Sequence, residues 1–140
     1  MTTLAEPRPR VPRWWWPAAF LVPFIAAYSL RYVLLGPRAY VPELAASFHA
    51  RPLLVVIHTL FGPIALVLGM VNLLPAVQPP RRRRVHLTVG RVYLVSAILL
   101  ATAGLLLSLH AAGGIVARLG FFVLAVATLY GIWWYVVIHQ

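Results

Sequence analysis

Four long apolar runs, each bounded by arginine, proline or glycine, restrict this chain to very few folds. A helix needs about 20 apolar residues to cross about 30 Å of hydrocarbon. The runs near 14–35, 52–75, 87–109 and 115–138 all supply that length. In lipid, every backbone N–H and C=O must find its partner inside the protein, which leaves helices or closed barrels. Runs this long and continuous predict helices, so the expected fold is all-α: an integral membrane protein with four spans in one domain over residues 1–140. The composition agrees, with 62% hydrophobic residues against roughly 45–50% in soluble domains.

The breakers between the runs set the connections. Pro17 suits the first turn of the first helix, Pro23 is a bend candidate, and Gly36-Pro37 ends the helix. The segment GPRAYVPELAASFHAR is too polar and too broken to span, but predicts a short interfacial helix from Glu43 to His49. Pro52 opens the second span, Gly62-Pro63 is a kink candidate, and Pro75 closes it. AVQPPRRRR is then a short stiff loop and HAAGG a tight turn. Connections this short make consecutive helices antiparallel neighbours, predicting an up-down-up-down four-helix bundle.

A net charge of +10, with only Glu6 and Glu43 as acids, would suggest nucleic acid in a soluble chain. Here the arginines sit at the ends of apolar runs, so they point to topology and lipid headgroups and away from nucleic acid. With the amino terminus in the cytoplasm, eight arginines (8, 10, 13, 81, 82, 83, 84 and 91) fall inside and four (31, 38, 51 and 118) outside. Both termini are then cytoplasmic, and a bacterial inner membrane is the expected location. Trp14-Trp15-Trp16 and Trp133-Trp134-Tyr135 form an aromatic belt at the same end. The first run is long and lacks a small-residue cleavage site before Arg31, so no cleavable signal is expected. Zero cysteines exclude disulfides and thiolate metal sites.

One stripe stands out. In HTLFGPIALVLG, His58 is followed by Gly62, Ala65 and Gly69 at steps of four, three and four, along one helix face. His86, Gly90, Tyr93 and Ala97 repeat that spacing, and Ala101 and Gly104 extend the small face. The echo is either a weak duplication or the ordinary abundance of Gly and Ala in membrane helices. Lipid gives helices little hydrophobic reason to associate, so small residues that permit close approach are the usual adhesive. The second and third spans are therefore expected to touch along Gly62, Ala65, Gly69, Gly90, Ala97 and Gly104.

His58, about six residues into its span, lies roughly 9 Å deep. Its expected partners are His110 or His49 on the outer side; His86 would pair with His139 on the inner side. One imidazole pair per leaflet is how membrane cytochromes hold two b-type haems, so these histidines are candidate haem ligands. The plainer alternative is a neutral His58 donating to a carbonyl freed by Pro63. No carboxylate lies within a span, so no metal site or cation relay is expected. The hydroxyls of Thr59, Thr88, Ser96, Thr102, Ser108 and Thr128 are expected to bond to their own helices. No serine shares a depth with a histidine and an acid, so nucleophilic catalysis is not indicated. Arg81, Arg82, Arg83, Arg84 and Arg91 are lipid-headgroup candidates, with an anionic-lipid or quinone headgroup site beside Arg91 and Tyr93 as an alternative. Arg118 and Glu43 are candidates for an outer ion pair.

Residues 48–127, through FHARPLLVVIHTLFGPIALVLGMVNLLP, RRRRVHLTVGRVYLV and AAGGIVARLGFFVLA, resemble the bacterial predicted membrane protein family catalogued as domain of unknown function 2306. The carrying features are the His58–Gly69 pattern, the cluster of His86, Gly90, Arg91 and Tyr93, and the turn from Gly113-Gly114 to Gly120-Phe121. The resemblance implies an architecture and no established activity. It also implies further helices beyond His139-Gln140, so this chain is expected to be a short member that works by packing against something else. The expected function is a non-catalytic accessory or structural subunit docking onto partner transmembrane helices in a respiratory or photosynthetic complex. The alternatives are a bis-histidine b-type haem electron carrier and a small transporter or lipid-binding protein; quinone or pigment contact is compatible with the small-residue groove.

Overall fold

A computed structural model describes residues 12–13, 15–74, 82–111 and 113–138, side chains 43, 44 and 47 excepted. Four helices are long and apolar enough to cross a membrane: α1 (Trp15–Leu35), α3 (Pro52–Asn72), α4 (Arg83–Ser108) and α5 (Gly114–Ile138). Between α1 and α3 lie a 3-10 turn (Gly36–Ala39) and a short helix α2 (Pro42–Ala50). No strand occurs among the described residues. Gly36, at φ +57°, takes the left-handed conformation that stops α1, and Gly113 and Gly114, at φ +102° and +77°, turn the chain into α5. Pro52 occupies the start of α3, where a missing N–H costs nothing. The helical assignment runs unbroken through Pro23 and Pro63.

The largest departure from the sequence expectation is the start of α4, four residues before the expected 87. Arg83 and Arg84 form its first turn rather than belonging to the loop. Arginine is a good helix former, and polar side chains outside the hydrocarbon do not oppose helix formation, so hydropathy marks only the apolar part of the rod. At about 1.5 Å per residue, α4 is about 39 Å long against about 30 Å of hydrocarbon. The excess of about 9 Å is enough for the arginine-bearing amino-terminal turns to reach the headgroup region. Pro75, the expected end of the second span, and Arg81 lie outside the described residues.

Small side chains are inside and large ones outside. The buried apolar residues are Ala26, Tyr40, Val55, Ala65, Ala97, Ala101, Ala103 and Ala125, and the buried polar ones are Ser96 and Ser108. Phe20, Leu34 and Val116 are 75%, 81% and 80% exposed. Apolar exposure of this extent would aggregate in water. In lipid it is the natural order, because bulky groups lose nothing by facing acyl chains while small ones let backbones approach.

The tightest packing joins α3 to α4. A Cβ on Gly62 would sit 3.5 Å from Leu100 Cδ1, one on Gly69 3.0 Å from Tyr93 Cε2, one on Gly90 3.5 Å from Asn72 Nδ2, and one on Gly104 3.1 Å from His58 Cε1. Rising along α3 from residue 58 to 72, the partners fall along α4 from 104 to 90. On the outer sides of this pair, α1 packs on α3 and α5 on α4; the backbone of α1 approaches neither α4 nor α5 closely among the described residues. The four long helices thus form an open row around one tight central pair.

Gly69→Leu is expected to lower stability by about 1–3 kcal/mol, because the added side chain must displace the Tyr93 ring. Gly120→Leu, where a Cβ meets nothing within 4 Å, is expected to be neutral. Thermal unfolding of both variants in mild detergent checks the difference.

Candidate functional site

His58 is built into the α3–α4 joint. Its Nδ1 lies 3.3 Å from the Leu100 carbonyl oxygen, so the ring N–H donates across to the neighbouring helix. The carbonyl it uses is therefore not one freed by Pro63 within α3, which corrects the local alternative. Gly104 makes the room, since any side chain there would occupy the space of the imidazole. The hydroxyls of Thr59, Ser108 and Thr128 bond instead within their own helices, to Val55, Leu105 and Leu124 carbonyls at 2.8, 2.6 and 2.8 Å.

The other histidines are placed apart from it. His110 is exposed just past the end of α4, six residues beyond the Gly104 that faces His58, which is roughly 9 Å along a helix. His49 is exposed on α2, edge-on to Phe48 at 5.9 Å between centroids. The structure therefore does not bring His58 and His110 face to face. His86 lies in the first turn and a half of α4, and His139, its expected partner, lies outside the described residues. No group of three or more His, Cys, Asp or Glu side chains able to hold a metal ion occurs among the described residues.

Two hollows that share part of their walls lie along the helix row. The first is an apolar groove of about 370 Å³ in which Ala18 and Val22 of α1 face Gly62, Ala65 and Gly69 of α3, with Ala97 of α4 beside them. The second, about 620 Å³, lies among α3, α4 and α5, and is lined by Asn72, His86, Arg91 and Tyr135 as well as apolar side chains. Leu73, Tyr93 and Thr128 border both. The second hollow, a chamber with several polar side chains in a largely apolar wall, lies towards the start of α4, and the apolar groove beside it reaches along α3 as far as Gly62. Asn72 Oδ1 and His86 Nδ1 in the chamber, and Trp15 Nε1 beside the groove, are buried without a hydrogen-bond partner among the described residues. Buried polar groups are normally paired; Arg31 Nε and the Tyr40 hydroxyl, at the other end of α1, are in the same state among the described residues. Arg82, Arg83, Arg84 and Arg91 are exposed at the chamber's end of α4.

At the opposite end of α1, sequence reasoning missed an aromatic cage. The Arg31 guanidinium lies 3.9 Å from the Tyr28 ring centroid and 4.7 Å from that of Tyr32, and its Nη2 donates to the Tyr32 hydroxyl at 2.9 Å. Tyr32 stacks on Tyr40 at 5.1 Å, and Tyr40 meets Phe48 of α2 at 5.5 Å. Cation–π attraction strengthens where water is scarce, so the cage ties the end of α1 to α2. The i, i+3, i+4 spacing of Tyr28, Arg31 and Tyr32 was the available signal. Arg118 donates its Nε–H to the Ala111 carbonyl at 3.3 Å; the Glu43 side chain, its expected acidic partner, lies outside the described set.

His58→Leu removes one inter-helix hydrogen bond, for which membrane proteins show about 0.6 kcal/mol on average. A small fall in unfolding temperature with the fold retained is the expected outcome. Circular dichroism against temperature in detergent measures it.

No curated protein and no solved structure matches the chain. Residues 55–139, well over half of the chain, match a family described as Predicted membrane protein (DUF2306). That segment contains α4 and α5, nearly all of α3, and the polar chamber between them. The chain belongs to this predicted membrane protein family, DUF2306.

Proposed function

We propose that this is a non-catalytic multi-pass protein of a bacterial inner membrane that holds a membrane amphiphile, its head in the polar chamber and its chain in the apolar groove. The observation that carries this reading is that the two hollows share a wall at Leu73, Tyr93 and Thr128. Ligand sites combine apolar walls with a few convergent polar groups, and here those two elements occur in the order in which a lipid is built. The opposite running of α3 against α4 supports the up-down-up-down course. The eight-to-four arginine bias supports cytoplasmic termini, placing the chamber at the cytoplasmic surface.

Thr128, half-buried at the junction, tests the reading. Wild-type protein in mild detergent is expected to carry lipid at a fixed stoichiometry in native mass spectrometry. Thr128→Phe, which adds bulk at the shared wall, is expected to lower that occupancy roughly tenfold, corresponding to about 1.4 kcal/mol of lost contact. Val116→Phe, on an exposed face of α5, should leave it unchanged. Equal occupancy in all three proteins, or none in the wild type, contradicts the reading.

The open row favours a second reading, in which the protein is an accessory subunit whose outer helices meet partner transmembrane helices in a respiratory or photosynthetic assembly. The backbone of each outer helix closely approaches just one other long helix among the described residues. Purification in mild detergent with a stoichiometric companion supports it; recovery as a lone monomer counts against it.

A further inference from the structure

The chamber's chemistry is selective about the head it would receive. Arg91 contributes a cation, and no carboxylate lines the chamber among the described residues. Asn72 at the end of α3 contributes a buried carbonyl acceptor, Oδ1, that nothing among the described residues satisfies. Its side chain lies over Gly90, where a Cβ would stand in ordinary contact 3.5 Å from Nδ2, so the amide sits at the α3–α4 joint beside the chamber. His86 adds a second unpaired ring nitrogen, Nδ1. A guanidinium seeks an anionic oxygen, whereas an amide oxygen seeks a hydroxyl or amine donor. A neutral quinone offers the guanidinium no anionic oxygen. A zwitterionic choline head would bring a cation towards a basic wall and offer Asn72 no donor.

We infer that the chamber takes the head of an anionic phospholipid bearing free hydroxyls, of the phosphatidylglycerol type, with Arg91 on the phosphate and Asn72 accepting from a hydroxyl. This assignment rests on the amphiphile reading above and adds the class of head. One chain runs into the groove past Leu73, Tyr93 and Thr128, while the other remains in the bilayer. Arg82, Arg83 and Arg84, exposed on the first turns of α4, enrich such lipids at the mouth.

The test compares binding of defined lipids to detergent-purified protein by native mass spectrometry, using phosphatidylglycerol, phosphatidic acid and phosphatidylcholine with matched chains. Phosphatidylglycerol is expected to bind tightest, ahead of phosphatidylcholine by roughly fivefold for the single arginine charge. Arg91→Gln should remove the preference over phosphatidylcholine, and Arg91→Lys should retain part of it. Asn72→Leu should leave phosphatidylglycerol and phosphatidic acid equal. Circular dichroism of each variant separates lost binding from lost fold. Soluble glycerol phosphate is expected not to displace the lipid; displacement would point to a free phosphate ligand and overturn the proposal, as would displacement by a short-chain quinone. Equal binding of all three lipids, sensitive to Thr128→Phe, overturns the head assignment alone. Absence of any bound lipid overturns the amphiphile reading with it.

Discussion

The structure depends on how closely α3 and α4 can approach. In lipid, removing a leucine from its surroundings and placing it against another leucine gains little, so a stable pair must come from backbone proximity and inter-helix hydrogen bonds. Four glycines create that proximity, and each faces a specific side chain on the other helix: Leu100, Tyr93, Asn72 and His58. The glycine of each pair is on α4 at the two ends of the joint and on α3 in its middle, which fixes the register. The bond from His58 to the Leu100 carbonyl adds a polar contact at one end. Asn72 over Gly90 places an amide at the other.

The same arrangement produces the cavities. A joint built from glycine and alanine is narrow, while the flanking helices α1 and α5 carry larger side chains and pack on its outer sides. The spaces left between narrow centre and bulky flanks are the apolar groove and, near the projecting end of α4, the polar chamber. A chamber at that depth meets both acyl chains and headgroups. Its arginine, asparagine, histidine and tyrosine side chains are compatible with that boundary, whereas the same groups at mid-membrane would be costly.

The spans were legible because hydrophobic length is a strong constraint in lipid, and Gly36, Pro52 and the Gly113-Gly114 turn announced their breaks through backbone chemistry. The start of α4 was less visible, since arginine outside the hydrocarbon is silent on helix formation. The stripe of His58, Gly62 and Gly69 named surfaces that the structure places at the joint, but its partners on α4 emerged only with the register. Haem pairing by leaflet followed from depth alone, and depth does not say which way a ring points; His58 turns to a backbone carbonyl. Arg91 and Tyr93 are legible in the sequence as a headgroup candidate, whereas the place of Asn72 beside Gly90 follows only from the register of α3 on α4. Arg31 was assigned to charge topology, although its tyrosine neighbours were in plain sequence view.

The central claim is that α3 and α4 run oppositely in one fixed register, on which both hollows depend. The chain has no native cysteine, so paired cysteines report the register directly in membranes. Oxidation should cross-link Gly62→Cys with Leu100→Cys, and Asn72→Cys with Gly90→Cys, while Gly62→Cys with Gly90→Cys should remain unlinked. Preferential linking of the last pair would contradict the register and, with it, the chamber.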